Sequence, residues 1–312
     1  MQGERRLKKS IYLDWNIFQD VFNSRRGVRL VDILIAAKQK GFVIPYSEAH
    51  MADLAKCKNE GYVNDDLEHL RSFSGSKCLD VAPDSSDVRI VALEPCIVLN
   101  EVRRIAAGAP NVSEPEFEFP RYKVNQDKLP QGNLLHAYLD KFDGYMCQEL
   151  MASLMSDLSE RGLSDYKLQR DYRNSFVDIV KIGDPAAAAL LTTPIYKYLL
   201  ETQQEIEQNF IEIFEFFLSI TGKSISTISE QEKFHTAYGL LDFFPVFKEK
   251  IEKRDNMNNM LTDAQHVFFA SKCTYLVCGD GGLLAKARAL YRIFGIPTRI
   301  YQVDDFIKRI DF

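Results

Sequence analysis

Residues 261–286, LTDAQHVFFASKCTYLVCGDGGLLAK, constrain the fold more than any other stretch of this chain. They read as a helix, a short strand with no charge in it, and a Gly-rich turn into a second helix. A short buried strand between two helices points to an α/β arrangement. Asp263 is expected in the first turn of the first helix. Asp280 is expected just past the strand, at the mouth of the turn. Open α/β sheets bind ligands outside the carboxyl ends of their strands, so Asp280 would face that crevice. A helix start beside the same edge would bring Asp263 to it. Two carboxylates at one edge suggest a divalent cation, because hard ions take oxygen ligands.

The rest of the chain must supply further ligands, and its first sixty residues have the same character. SIYL at 10–13 is a short aromatic and β-branched run ending at Asp14. Asp14-Trp15-Asn16 opens a helix. A second helix over 29–40 carries Leu30, Ile33, Leu34 and Ala37 at helical spacing and is capped by Gly41. FVIP at 42–45 reads as the next strand. Ser47 is a good N-cap for a helix over 48–58. This β-α-α-β-α order predicts a parallel sheet with both faces covered.

From about residue 60 to 254 the pattern is mostly helical, interrupted by a loop-like passage with Pro110, Pro115, Pro120 and Pro130. Helices are expected over 63–72, 94–107, 134–159, 165–182, 194–217 and 230–254, and 89–93 reads as a short strand or a turn. The α/β pattern returns with helix 262–272, strand 274–278, helix 281–294, strand 298–301 and helix 303–310. The expected organisation is therefore one sheet built from 1–59 and 255–312, with an all-α insertion over 60–254.

Composition narrows the function classes. The 312 residues carry a net charge of −5, which argues against a protein that coats nucleic acid by bulk charge but leaves room for a local basic track. The six cysteines include no CxxC pair, so zinc and disulfide frameworks are not expected and a reducing cytoplasm fits. The start, MQGERRLKKS, has no apolar run of signal-peptide length behind it. No stretch reaches the roughly 18 apolar residues that span a bilayer. GDGG at 279–282 lacks the lysine and spacing of a phosphate-binding P-loop.

Acids thus converge on one edge from both ends of the chain: Asp14 after the first strand, Asp53 within the helix after the second, Asp263 and Asp280 from the C-terminal part. Ser47, Glu48 and His50 lie near Asp53, and His266 lies one turn beyond Asp263. Four crowded carboxylates without a cation would repel one another. A bound Mg²⁺ or Mn²⁺ removes that cost and can activate water against a phosphodiester. Each acid also has a plain structural role open to it: Asp14 and Asp263 as helix caps, Asp280 as a turn residue, Asp53 as a solvated helix position.

The segments IYLDWN, IPYSEAHMADL, TDAQHVFFA and LVCGDGGLLAKA resemble the motifs of the PIN domain nucleases, and PTRIYQVDDFIKRI resembles that family's closing strand and helix. The likeness covers about residues 8–58 and 256–312. It implies a three-layer α/β/α core with a central parallel sheet, and a Mg²⁺- or Mn²⁺-dependent endoribonuclease. The implied metal ligands are Asp14, Asp53, Asp263 and Asp280. Asn16 and Ser47 would support them by hydrogen bonds, with Glu48 in reserve. Two departures stand out. Cys278 occupies a position where a hydroxyl is usual, and the second acid is Asp53 where Glu is commoner. The implied partner is RNA, in a bacterial defence or toxin-like setting. A protein partner on the insertion and a homodimer are left open.

A phosphate track would need cations near the acids. Arg5, Arg6, Lys8 and Lys9, then Arg25, Arg26 and Arg29, then Lys286, Arg288 and Arg292 are the candidates, extended by Arg103, Arg104 and Lys123. Tyr12, Trp15 and Tyr46 are candidates to stack on unpaired bases. Two other readings remain: a PIN-like scaffold acting through protein binding, and a structure-specific DNA nuclease of the flap-cutting kind.

Overall fold

A computed structural model describes residues 7, 9–82, 87–108, 122–147, 149–150, 201–220, 223–242, 244–247 and 257–312, with 153, 157, 171, 174, 175, 178 and 198 besides. In chain order its main elements are β1 (Ile11–Leu13), α1 (Trp15–Phe22), α2 (Val28–Gln39), β2 (Tyr46–Ser47), α3 (Glu48–Leu54), α4 (Glu60–Ser74), β3 (Lys77–Val81), β4 (Val88–Ala92) and α5 (Pro95–Gly108). Then come β5 (Tyr122–Lys123), α6 (Leu135–Leu139), β6 (Tyr145–Met146), α7 (Gln203–Ile220), α8 (Glu230–Leu241), α9 (Met257–Ser271), β7 (Tyr275–Cys278), α10 (Gly281–Ile293), β8 (Arg299–Gln302) and α11 (Val303–Arg309).

The fold is mixed α/β, and its central sheet is parallel, in the order β1-β7-β8. Ile11 lies opposite Tyr275 and Leu13 opposite Val277; β8 pairs with the other edge of β7. On the free edge of β1, Ser10 bridges Val43 in parallel, and Ile11 N–H donates to Val43 O at 2.9 Å. β1 and β7 are short because each is an apolar run of three or four residues closed off by a polar or Gly position. Every residue of β1 and β7 is buried. Ile11, Leu13, Ile17, Phe18, Leu30, Leu34, Val277 and Phe306 share one core. The sheet is thus covered by α1, α2 and α11 among others, as a parallel sheet requires.

The chain divides into two compact units. The first takes 1–109, 229–238 and 261–312; the second takes 110–228 and 239–260. The boundary expected near residue 60 is therefore displaced. The first unit runs on through α4, β3, β4 and α5. The expectation of an all-helical 60–254 fails at β3 and β4, which form an antiparallel pair, with β3 also pairing in parallel with β2. Pro45 does not simply end a strand. Lacking an N–H, it interrupts the ladder. Val43 before it pairs with the β1 edge, while Tyr46 and Ser47 after it pair with β3. In the second unit β5 and β6 pair antiparallel, and Leu135, Tyr138, Leu139 and Leu150 form a separate core.

The helix expected over 194–217 is described from Gln203 to Ile220. Its start is set by Thr202 and Glu205, which cap each other's backbone N–H groups. Apart from 171, 174, 175 and 178, the expected helix over 165–182 lies outside the described residues, as do most of the far parts of 134–159 and 230–254, and Arg5, Arg6, Lys8, Pro110, Pro115 and Pro120. Among the described residues no helix is long and apolar enough to cross a membrane.

Candidate functional site

The register of β1 against β7 sets the site. Since Leu13 faces Val277, Asp14 leaves β1 beside Cys278, the last residue of β7, at the carboxyl edge of the sheet. Asp14 N–H still donates to Val277 O at 3.1 Å. The Asp14 side chain then turns into the fold and is almost wholly buried. Its Oδ1 accepts from Ile17 N–H at 2.8 Å, capping α1, and its Oδ2 accepts from Gly279 N–H at 3.2 Å. Burial pushes the Asp14 carboxyl above the usual carboxylate range, partly offset by hydrogen bonds from the Cys278 thiol and the two backbone amides and by the nearby His266.

Asp280 caps α10 in the same way, its Oδ1 accepting from Gly282 N–H at 2.7 Å and Leu283 N–H at 3.0 Å. It is exposed where Asp14 is buried. The Cys278 thiol lies against the Asp280 backbone, donating to Asp280 O at 3.7 Å and accepting from Asp280 N–H at 3.2 Å. Burial first, and the Asp14 charge second, push the Cys278 thiol well up, so it stays protonated. The hydroxyl expected by resemblance at this position is thus replaced by a buried thiol. Both helices aim their N-termini at this edge, which adds positive potential there.

Asp53 reaches the same region from α3, one-fifth exposed. Its Oδ2 accepts from His266 Nε2 at 2.9 Å and its Oδ1 from Lys56 Nζ at 2.7 Å. Burial alone would raise this carboxyl, but the hydrogen bond and charge of His266 and the Lys56 ammonium outweigh it and bring it down to about 2. Asp263 is half-buried on α9, three residues ahead of His266. It does not stand in the first turn, as expected, because α9 begins at Met257 and the run MNNML extends the helix ahead of it. A capping role for Asp263 is thereby excluded.

The supporting residues fall differently from expectation. Asn16 is exposed on α1. Ser47 caps α3 in a reciprocal box with His50, and its hydroxyl meets Tyr12 and His50, not an acid. Glu48 takes long hydrogen bonds from Gln231 (3.2 Å) and Gln265 (3.4 Å), and burial pushes its carboxyl up. Of the candidate stacking aromatics, Tyr12 and Tyr46 are fully buried and only Trp15 is partly exposed. Of the candidate cations, Lys286 is buried with its ammonium 4.6 Å from the Tyr238 ring centre, so it does not face solvent. Arg26 pairs with Asp20 and Asp304, Arg103 with Glu60 and Arg104 with Glu101. Arg29, Arg288 and Arg292 are exposed.

The residues that sequence reasoning undervalued are Lys56 and the buried pair Tyr12 and His266. A weak signal existed for His50: Ser-x-x-His at 47–50 has capping-box spacing, with His in place of Glu or Gln. No spacing rule joins Tyr12 to His266, 254 residues later.

Among the described residues no group of three or more His, Cys, Asp and Glu side chains is gathered into a ready ligand set. The donor chemistry nonetheless suits a hard divalent ion. Asp14 is a buried carboxylate whose ionised form a nearby positive charge would stabilise, and the Lys56 ammonium already stands as a cation on Asp53. The chain matches no protein-family model, no curated protein and no solved structure.

Proposed function

We propose that this chain is a PIN-like, Mg²⁺- or Mn²⁺-dependent phosphodiesterase that hydrolyses RNA. The observation that supports it most is the β1–β7 register, which brings Asp14 and Asp280, 266 residues apart in sequence, to one strand-end edge on either side of Cys278. Asp14 and Asp280 would hold the ion, with Asp53 and Asp263 completing the acidic surround. Such an ion, when bound, supplies a nucleophilic water near neutral pH and offsets charge on the reacting phosphate. The chain itself contributes fixed geometry. Asp14 and Asp280 are locked as helix caps, so neither has to be ordered when an ion or substrate arrives. The two helix N-termini favour an anionic phosphate at the same edge. Preference for RNA rests on the resemblance of the motifs.

Mn²⁺-dependent cleavage of single-stranded RNA tests this reading. Wild-type protein should cleave, EDTA should stop it, and Asp14→Asn and Asp280→Asn should each fall to the EDTA level while remaining folded. Full activity in both variants would overturn it.

A second reading, a scaffold whose acids are spent on structure, draws on one observation: Asp53 already pairs with Lys56 and accepts a hydrogen bond from His266. Calorimetry separates the two, since absence of Mn²⁺ binding at millimolar concentration favours the scaffold.

A further inference from the structure

A hydrogen-bonded chain runs through the interior behind Asp53, and the function proposed above makes no use of it. Tyr12, Ser47, His50 and His266 are all at most 2% exposed. Their order is Asp53 Oδ2, His266 Nε2 (2.9 Å), His266 Nδ1, Tyr12 OH (2.8 Å), Ser47 Oγ (2.7 Å), His50 Nδ1 (3.1 Å) and, from His50 Nε2, Leu13 O (2.8 Å).

The direction of each bond follows from which atoms must donate. Ser47 N–H can only donate, and it donates to His50 Nδ1 at 3.0 Å. That nitrogen therefore carries no proton, and His50 Nε2–H donates to Leu13 O. At the other end, an ionised Asp53 carboxylate can only accept, so His266 Nε2 carries a proton. With His266 as the Nε2–H tautomer, Nδ1 is an acceptor, and Tyr12 OH, 2.8 Å away, fills it. Ser47 OγH then donates to Tyr12 Oη at 2.7 Å, since the Tyr12 proton is spent on His266. Each polar atom of the chain is satisfied, and the phenol selects the histidine tautomer that grips Asp53.

We propose that His266 is the positioning residue for Asp53, that Tyr12 fixes its tautomer, and that together they hold Oδ2 so that Oδ1 alone is presented to a cation. The inference rests on Asp53 belonging to the metal-dependent site. Lys56 occupies Oδ1 in this structure, and its partly exposed side chain can leave that oxygen for solvent. The arrangement is that of an outer-shell histidine donating to a ligand carboxylate, whose loss typically weakens metal affinity by about 10- to 100-fold.

The test is Mn²⁺ calorimetry on the full-length chain, with circular dichroism as a check on folding, for wild type, Tyr12→Phe, His266→Asn and His266→Gln. The Gln amide can reach the place of Nε2 and keep a donor on Asp53; the shorter Asn amide cannot. Tyr12→Phe and His266→Asn should weaken binding about 10- to 100-fold, while His266→Gln stays near wild type. Long-range ¹H–¹⁵N spectra of the histidines should show a single Nε2–H tautomer for His266 in wild type and a tautomer mixture in Tyr12→Phe. Where wild type binds and both Tyr12→Phe and His266→Asn bind equally well, the positioning role is wrong and the site reading survives. An equal loss in His266→Gln and His266→Asn also overturns it, because the Asp53 bond would then not be what matters. Absence of Mn²⁺ binding by wild type removes both. Should His266→Asn fail to fold, the near-isosteric Tyr12→Phe decides.

Discussion

At the scale of single residues, Asp53 lies at the balance point of the site. Its two oxygens are shared between a histidine that cannot leave and a lysine that can. Lys56→Ala removes the competitor from Oδ1 without touching His266. Mn²⁺ should then bind a few-fold tighter, as expected for an exposed ion pair worth about 1 kcal/mol or less; weaker binding in calorimetry would mean that Lys56 helps assemble the site. His50 gives a second test. Burial first, and the neighbouring His266 second, push it from the ordinary 6.5 down to about 3. Between those values the unfolded chain binds a proton here that the folded chain refuses. Stability should therefore fall as pH falls through that window, by up to about 1.4 kcal/mol per pH unit from this group. Denaturant melts of His50→Asn across the same window should show a shallower slope than wild type. Parallel slopes would contradict the burial of a neutral His50. Asp14 and Asp280 were legible from sequence because each follows an apolar run where a strand turns into a helix. The partners that tune them were not. Ser47, Tyr12 and His266 meet only after the sheet has closed, and no local pattern records that meeting.

At the scale of elements, Asp14 and Asp280 each cap a helix, and under the proposed function each would also hold the ion; substitutions can separate the two roles. Asn still caps a helix N-terminus and Ala does not. Asp280→Asn should lose activity with its melting behaviour little changed. Asp280→Ala should lose activity and also about 1 kcal/mol of stability, read as a lower denaturant midpoint. Equal stability in the two would mean that the bonds to Gly282 and Leu283 do not anchor α10. The helices and strands of the central sheet were readable because their runs are apolar and bounded by Gly, Pro or Asp: α2 ends at Gly41 with φ at +83°, where a residue without Cβ is favoured. Of the β3–β4 pair, β4 falls on the stretch read as a short strand or a turn, whereas β3 was not readable. KCLDV and VRIVA are weakly alternating, and only the two-residue β2 beside them shows that they belong to a sheet. Asp263 was misplaced within its helix because the run Met257-Asn258-Asn259 does not read as helical from sequence.

At the scale of the molecule, the first unit is assembled from three separate stretches of chain. β1 has no long strand partner until β7 arrives, more than 260 residues later. Contacts this distant make folding slow and leave the N-terminal part without a closed core in the meantime. A chain ending at residue 255 lacks β7, β8, Asp263 and Asp280. It should fail to give a cooperative thermal transition and should be cut rapidly by protease within 10–58. Protection of that region in the truncated chain would show that the first unit does not depend on the β1–β7 pairing.

The convergence of Asp14 and Asp280 on one cation is tested most directly by a crystal of the full chain soaked in Mn²⁺ and measured at the manganese absorption edge. An anomalous peak is expected at the carboxyl ends of β1 and β7, within coordinating distance of the Asp14 and Asp280 carboxylates. A soaked crystal with no peak at that edge, or with manganese bound only elsewhere, would contradict it.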